Sequence, residues 1–210
     1  MAVRCRVVQG DKIRVQTAVA RENLSRIGVE GLKPQRFARN AAAWPAVQAA
    51  GSDSRLALAL VSRRSAFAPW PTLEKLLAEA IFEEVRLRAL PAAPSRLDCV
   101  YAVEMGYDAF KILPELGFDL ASIRFDASGE PLDGPAILAG FTRGSWVAAD
   151  MHLFSARELR AERNQVDHWI AETEQSAARY WAGEASANPV TELLCEGVDR
   201  PGESEPPVDC

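Results

Sequence analysis

The sequence predicts one α+β domain, with a compact mixed or antiparallel β core, flanking helices and a long C-terminal helix before the last strand. A chain of 210 residues is long enough for one sizeable core and short for two. Its 48% hydrophobic and 25% charged residues are typical of globular proteins. Segments of strand and helix periodicity interleave irregularly along it, which favours the α+β class.

The first elements are predicted to be a strand and a short helix. Ile13, Val15 and Thr17 alternate with polar residues, as in a short half-buried strand. A helix over Arg21–Gly28 follows, and the glycines at positions 28 and 31 end it. Residues 35–71 carry little periodic pattern, so short helices and loops are expected there, with a helix or a strand at Leu56–Val61.

A strong helix is predicted from about Leu73 to Leu90. Apolar residues recur there at helical spacing, Thr72 can cap the first turn, and Pro91 ends the segment. The apolar run Leu97–Val103 indicates a buried strand.

Four further elements are predicted in the second half of the chain. A short helix is expected at Asp108–Leu113, and strands are expected at Ser122–Asp126 and Gly144–Ala149. Ser155 and Glu158 form a capping-box pattern, which predicts that a long helix begins there and runs towards Trp181.

The last predicted strand is Val190–Cys195. The domain is therefore expected to span residues 1–197. Residues 198–210 are rich in proline and acidic side chains and are expected to form a disordered tail.

Charge is distributed unevenly along the chain, although the formal net charge is only -5. Residues 1–64 contain twelve Lys and Arg against four Asp and Glu, whereas residues 151–210 contain five against twelve. The basic end could meet an anion such as a dinucleotide, and nucleic acid stays open as a partner. The simpler interpretation is that the two charged regions attract each other or are solvated.

Several classes of site are not expected. Four scattered cysteines and two histidines lack the spacing of metal ligands, so no metal site is predicted. No P-loop, GxGxxG, nucleophile elbow or His-Glu-x-x-His is present. The chain shows no membrane span and no signal-peptide pattern, so it is expected to be cytoplasmic, or delivered without a cleavable signal peptide.

Two segments resemble ADP-ribosyltransferase-like domains. The run Thr17–Pro34, with its Asn-Leu pair and its Gly-Leu-x-Pro ending, is similar to the opening strand, helix and turn of those domains. Thr191–Gly197 is similar to the strand that presents their catalytic glutamate. Phe82–Arg86, Pro94–Tyr101 and Ala178–Gly183 resemble an uncharacterised bacterial family with ADP-ribosyltransferase-like features.

The resemblance implies chemistry on NAD with Glu192 as the catalytic residue. Cleavage of the nicotinamide–ribose bond develops positive charge on the sugar, and a carboxylate beside the ribose stabilises that charge. The product would be ADP-ribose on an unknown macromolecular acceptor, and the protein would act as a bacterial toxin or effector. Alternatively, Glu192 is the outward residue of an edge strand.

The same resemblance implies roles for residues that would bind NAD. Arg14 or Thr17 would hold the ribose or pyrophosphate, and Tyr101 or Tyr107 would stack on nicotinamide.

Ser95 and Arg96 would contact the cofactor or fix the entry to the strand. The alternative is a capping or turn role, with Arg96 paired to Glu83 or Glu84. For Arg14 the alternative is a solvated charge, and for Tyr101 it is a core position.

Three functions are therefore open: an NAD-dependent transferase, a binding module of the same fold without turnover, and a structural or interaction protein. Convergence of Arg14, Tyr101 and Glu192 on one cleft would favour the transferase.

Overall fold

A computed structural model of the protein describes residues 7–8, 13–20, 23–33, 43–64, 73–104, 127, 135–154 and 157–199. The strands in these ranges are β1 (Val7–Val8), β2 (Arg14–Ala20), β3 (Val100–Glu104), β4 (Pro135–Asp150) and β5 (Thr191–Val198). The α-helices are α1 (Leu24–Glu30), α2 (Trp44–Ala50), α3 (Ser54–Val61), α4 (Leu73–Ala89) and α5 (Arg163–Trp181). The predicted α+β class is confirmed. None of the described helices is long and apolar enough to cross a membrane.

The sheet is antiparallel at every described pairing and closes on itself. Strand β4 pairs through its first half with β2 and through its second half with β5. Strand β3 pairs with both β2 and β5, and β1 adds to the outer side of β4. The strands β2, β3, β5 and β4 therefore form a ring, with Val15, Leu193 and Cys195 among the apolar residues of one cluster.

Strand β4 can serve two partners because it is 16 residues long and irregular near its middle. The predicted strand Gly144–Ala149 is the second half of this longer strand. The register against β5 shifts between Arg143 and Trp146, as at a β-bulge, which bends and twists a strand.

Gly140 lies where β4 meets the end of β5, and a side chain has no room there. A Cβ atom at this position would lie 2.6 Å from the Asp199 carbonyl oxygen and 2.8 Å from Val198 Cγ1. We expect Gly140→Ala to lower the free energy of unfolding by about 1–3 kcal/mol, because the backbone at Asp199 must move to make room for the added methyl group. Urea denaturation measures the change. Gly28→Ala is the control: its Cβ would meet open space on a helix, so stability should rise by up to about 1 kcal/mol.

The helices form a layer over one face of the ring. Buried side chains of α2, α3, α4 and α5 make one core cluster. A second cluster joins α4 and α5 to β4 and β5. The indole N–H of Trp181 donates to the Phe82 carbonyl (2.9 Å) and ties the two long helices together.

The strong predicted helix from Leu73 is confirmed as α4, and Leu56–Val61 lies in a helix, α3. Helix α1 runs through Gly28, its predicted end, and stops at Glu30. Gly31 caps it with a φ of 73°, which suits glycine. The last strand was predicted at Val190–Cys195, whereas β5 runs from Thr191 to Val198, past both that end and the predicted domain boundary.

The predicted start of the long C-terminal helix is wrong. Helix α5 begins at Arg163, so the capping box of Ser155 and Glu158 does not open it. Leu159, which follows Glu158, is buried in the helical core, and its N–H donates to the buried Glu74 carboxylate (3.4 Å). This tertiary contact holds the segment before Arg163 in a non-helical path.

The predicted start of β3 is also wrong. Residues Arg96–Asp98 form a turn of 3₁₀ helix, so the strand begins at Val100 rather than at Leu97. The predicted elements at Asp108–Leu113 and Ser122–Asp126, the Thr72 cap and the tail from residue 200 lie outside the described residues.

Asp150 fixes the junction between β4 and the segment that leads into β5. Its buried carboxylate accepts hydrogen bonds from the backbone N–H groups of His152 (3.1 Å), Ser186 (2.6 Å) and Val190 (3.1 Å). Burial acts to raise the pKa of this carboxyl. The hydrogen bonds from Ser186, His152 and Val190 outweigh burial and lower the pKa below its usual range.

Candidate functional site

Glu192 lies on β5 and points towards the helices rather than into solvent. Side chains alternate along the strand, so Glu192 shares a face with Leu194, which packs against residues of α4 and α5. Only 5% of Glu192 is exposed. Its Oε1 atom lies 2.5 Å from Arg96 NH1 and accepts a hydrogen bond from the Tyr180 hydroxyl (2.6 Å).

Arg96 comes from the 3₁₀ turn before β3, and Ser95 sets that turn. The Ser95 hydroxyl accepts from the Leu97 N–H (3.2 Å) and donates to Glu83 (2.9 Å), so Ser95 has the capping role given as the alternative. Arg96 itself pairs with neither Glu83 nor Glu84. Its Nε and NH2 atoms contact the two oxygens of Glu79 at 3.0 and 3.3 Å.

Helix geometry explains this choice of partner. Glu83 forms an ion pair with Arg86. The Nε and Nη2 atoms of Arg86 lie 2.9 and 2.7 Å from the two carboxylate oxygens of Glu83. Glu79 lies one turn earlier, on the buried side of α4, and is only 1% exposed. Arg96 therefore bridges α4 and β5 through two carboxyl groups.

Aromatic rings enclose the guanidinium. The Arg96 Cζ atom lies 4.2 Å from the ring centroid of Phe154, 5.1 Å from those of Tyr101 and Tyr180, and 5.7 Å from that of Phe82. Cation–π attraction is strongest where water is excluded, as it is here. We call Arg96, Glu79, Glu192, Tyr101 and Tyr180 the Arg96 cluster.

Burial and mutual charge set the ionisation of the Arg96 cluster. Burial raises the pKa of the Glu79 carboxyl, although the nearby Arg96 opposes the shift. Burial also raises the pKa of Tyr101 and of Tyr180 well above the ordinary value, so both phenols are neutral. Burial alone would lower the pKa of Arg96, but Glu79, the tyrosines and Glu192 raise it well above its usual range.

The structure brings some of the predicted site residues together and leaves others apart. Arg96, Tyr101 and Glu192 meet in the Arg96 cluster, and Ser95 adjoins it. Thr17 is buried, and its hydroxyl donates to the Tyr101 carbonyl (2.6 Å), so it ties β2 to β3.

Arg14 is exposed on β2 and pairs across the ladder with Phe141, whereas the Arg96 cluster is buried. Of the three residues expected to converge on one cleft, Tyr101 and Glu192 therefore lie in the Arg96 cluster and Arg14 lies at the surface of β2. Tyr107 lies outside the described part of the chain.

No model of a known protein family matches this chain, and no curated protein matches it.

A small cavity lies elsewhere, beside α5. It has a volume of about 140 Å³ and is lined by Arg157, Trp169, Glu172, Thr173, Gln175 and Ser176. Pockets that hold drug-sized ligands measure about 300–1,000 Å³, so this cavity is too small for a dinucleotide. Within the described ranges, no three His, Cys, Asp or Glu side chains are grouped to hold a metal ion.

Two members of the Arg96 cluster were missed as polar partners. Tyr180 is fully buried, and its hydroxyl donates a hydrogen bond to Glu192. Glu79 carried a signal that was available in the sequence. It lies among Leu76, Ala80 and Phe82 on the apolar part of α4, and a charged residue there needs a buried partner.

Proposed function

We propose that this chain is a protein-binding module without catalytic turnover. The observation that carries the proposal is the state of Glu192, the one candidate for the catalytic carboxylate. Its Oε1 atom is held by Arg96 at 2.5 Å and by the Tyr180 hydroxyl at 2.6 Å, inside a closed core.

A catalytic carboxylate must act on charge that appears on the substrate. An electrostatic contribution to catalysis requires a preorganised group directed at the developing charge. Glu192 is instead neutralised by a guanidinium of the same chain. Releasing it would leave buried charges without partners, which costs about 3–5 kcal/mol. Glu192 thus acts with Arg96 to hold β5 against α4, which suits a structural role better than a catalytic one.

A protein partner is supported by the large apolar side chains that the described surface exposes. Large apolar side chains are exposed on three helices: Val29 is 66%, Leu56 45% and Leu87 54% exposed. Each of these side chains would gain free energy by burial against another protein.

The test is an assay of nicotinamide release from NAD, run with a thermal-shift titration of NAD. The proteins are the wild type, Glu192→Gln and Glu196→Gln, which changes an exposed glutamate on the same strand. We expect no release and no saturable shift from any of them, with cell lysate added to supply an acceptor. Glu192→Gln alone should have a lower melting temperature, because Gln cannot offer the charge that Arg96 requires.

Release by the wild type that persists in Glu196→Gln and disappears in folded Glu192→Gln would overturn the proposal and establish NAD chemistry. A saturable shift without release would instead make the chain a nucleotide-binding module. Partner binding is tested separately by photo-crosslinking from Leu56 and Leu87, with Ala171, exposed on α5, as the control position. We expect Leu56 and Leu87 to crosslink to the same partner protein and Ala171 to give no adduct.

A further inference from the structure

The segment that leads into α5, residues 157–162, lies against the helical layer without regular secondary structure, and we call it the strap. Only one of its six side chains is buried. Leu159 is 2% exposed and packs in the core cluster of α2, α3, α4 and α5, whereas the other five side chains are exposed. The strap is therefore attached to the core through a single apolar anchor.

Two charged side chains bind the backbone of this anchor. Glu74, in the first turn of α4, accepts a hydrogen bond from the Leu159 N–H (3.4 Å), and Arg64, which follows α3, donates to the Leu159 carbonyl oxygen. The same two side chains form an ion pair, with Arg64 Nη2 2.6 Å from Glu74 Oε1. The Arg64 side chain is 41% exposed, so water competes for these polar contacts.

The beginning of the strap has one further attachment beside a void. The indole N–H of Trp169, on α5, donates to the Arg157 carbonyl oxygen (3.1 Å). The same two residues line the small cavity beside α5. Atoms that border a void lack contacts on one side, so packing contributes less here than in the filled core.

We propose that the strap opens as a unit while the rest of the fold stays intact. Opening breaks the two backbone hydrogen bonds of Leu159 and the bond between Trp169 and Arg157, and it lets water reach the Glu74 carboxylate. It breaks no contact of the Arg96 cluster. Segments held by few buried side chains and by water-accessible hydrogen bonds open well before the whole domain unfolds.

The strap is thus a switch for a hidden apolar surface. In the closed form Leu159 fills a site in the helical core, and Trp169 is only 7% exposed. In the open form that site and the Trp169 ring become accessible. This opening is a property of the chain alone and does not depend on the partner binding proposed above.

Native-state hydrogen exchange followed by NMR tests the proposal. The backbone N–H of Leu159 and the indole N–H of Trp169 report on the strap, and the backbone N–H of Ile81, in the middle of α4, reports on the core. A local opening exposes little surface, so exchange at the two strap reporters should depend weakly on low concentrations of urea, whereas exchange at Ile81 should depend strongly. Equal urea dependence at all three sites, or different opening constants at the two strap reporters, would overturn the proposal.

Two substitutions distinguish local opening from global unfolding. Arg64→Met removes the donor to the Leu159 carbonyl oxygen, so it should speed exchange at both strap reporters by about tenfold. Arg96→Met destabilises the closed and the strap-open forms alike. It should therefore speed exchange at Ile81 and leave exchange at Leu159 unchanged.

The control is Arg63→Met, which alters the exposed neighbour of Arg64 and should change exchange at none of the reporters. The proposal is wrong if Arg64→Met leaves the strap reporters unchanged, or if Arg96→Met speeds exchange at Leu159 as much as at Ile81. If Arg96→Met does not fold, the urea dependence measured on the wild type still decides.

Discussion

Arg96→Met is expected to lower the free energy of unfolding by about 3–5 kcal/mol, because it leaves the buried Glu192 charge without its partner. Methionine keeps much of the volume and removes the guanidinium. The loss exceeds that of an exposed ion pair, since water cannot enter to solvate the carboxylate. Urea denaturation followed by circular dichroism measures the change.

The control for Arg96→Met is Arg88→Met, which alters an exposed arginine on α4 and should change stability by less than about 0.5 kcal/mol. Arg96→Lys separates charge from shape. A lysine keeps the charge but cannot contact Glu79 and Glu192 together through a planar fork, so it should recover only part of the loss. A loss of under about 1 kcal/mol for Arg96→Met would show that the cluster contributes little.

Asp150→Ala is expected to lower the free energy of unfolding by about 3 kcal/mol, because three backbone N–H groups lose a charged acceptor at once. The pKa of Asp150 is lowered by folding, so its contribution is present above the ordinary pKa of 3.8 and is lost as the pH falls through the folded pKa. Denaturation curves should therefore show the gap between wild type and Asp150→Ala narrowing as the solution is made more acid.

Asp167→Ala is the matched control, because Asp167 is exposed on α5 and alanine suits a helix. It should change stability little at any pH. A gap for Asp150→Ala that stays the same under acid conditions would mean that the lost stability comes from packing rather than from the carboxylate charge.

The local part of the fold is predictable from the sequence, whereas boundaries set by distant contacts are not. The apolar spacing from Leu73 onward is a property of the segment itself, so α4 could be predicted nearly to the residue. The pattern at Ser155 and Glu158 is equally local, but the buried Leu159 overrides it. The β-bulge in β4 depends on its partner β5 and has no comparable local signal.

The sequence predicts which residues belong to the candidate site better than it predicts what each of them does. Arg96 and Tyr101 come from one segment of the sequence and Glu192 from another far along the chain, and the structure places the three together. Their partners were not predictable, because a one-dimensional pattern does not say which buried glutamate faces which arginine. Glu79 and Glu83 are one turn apart on α4, and only the packed structure assigns Glu79 to Arg96.

The ring of strands has a consequence for the order in which the chain folds. Each pair of neighbours in the ring joins segments far apart in sequence: Val15 pairs with Gly140, and Val100 pairs with Cys195. Such pairings require long loops to close, and proteins that depend on them fold slowly. Helices α2, α3 and α4, which are neighbours in sequence and pack together, can associate much earlier. The Arg96 cluster joins α4 to β5, so it should be completed only when the ring closes.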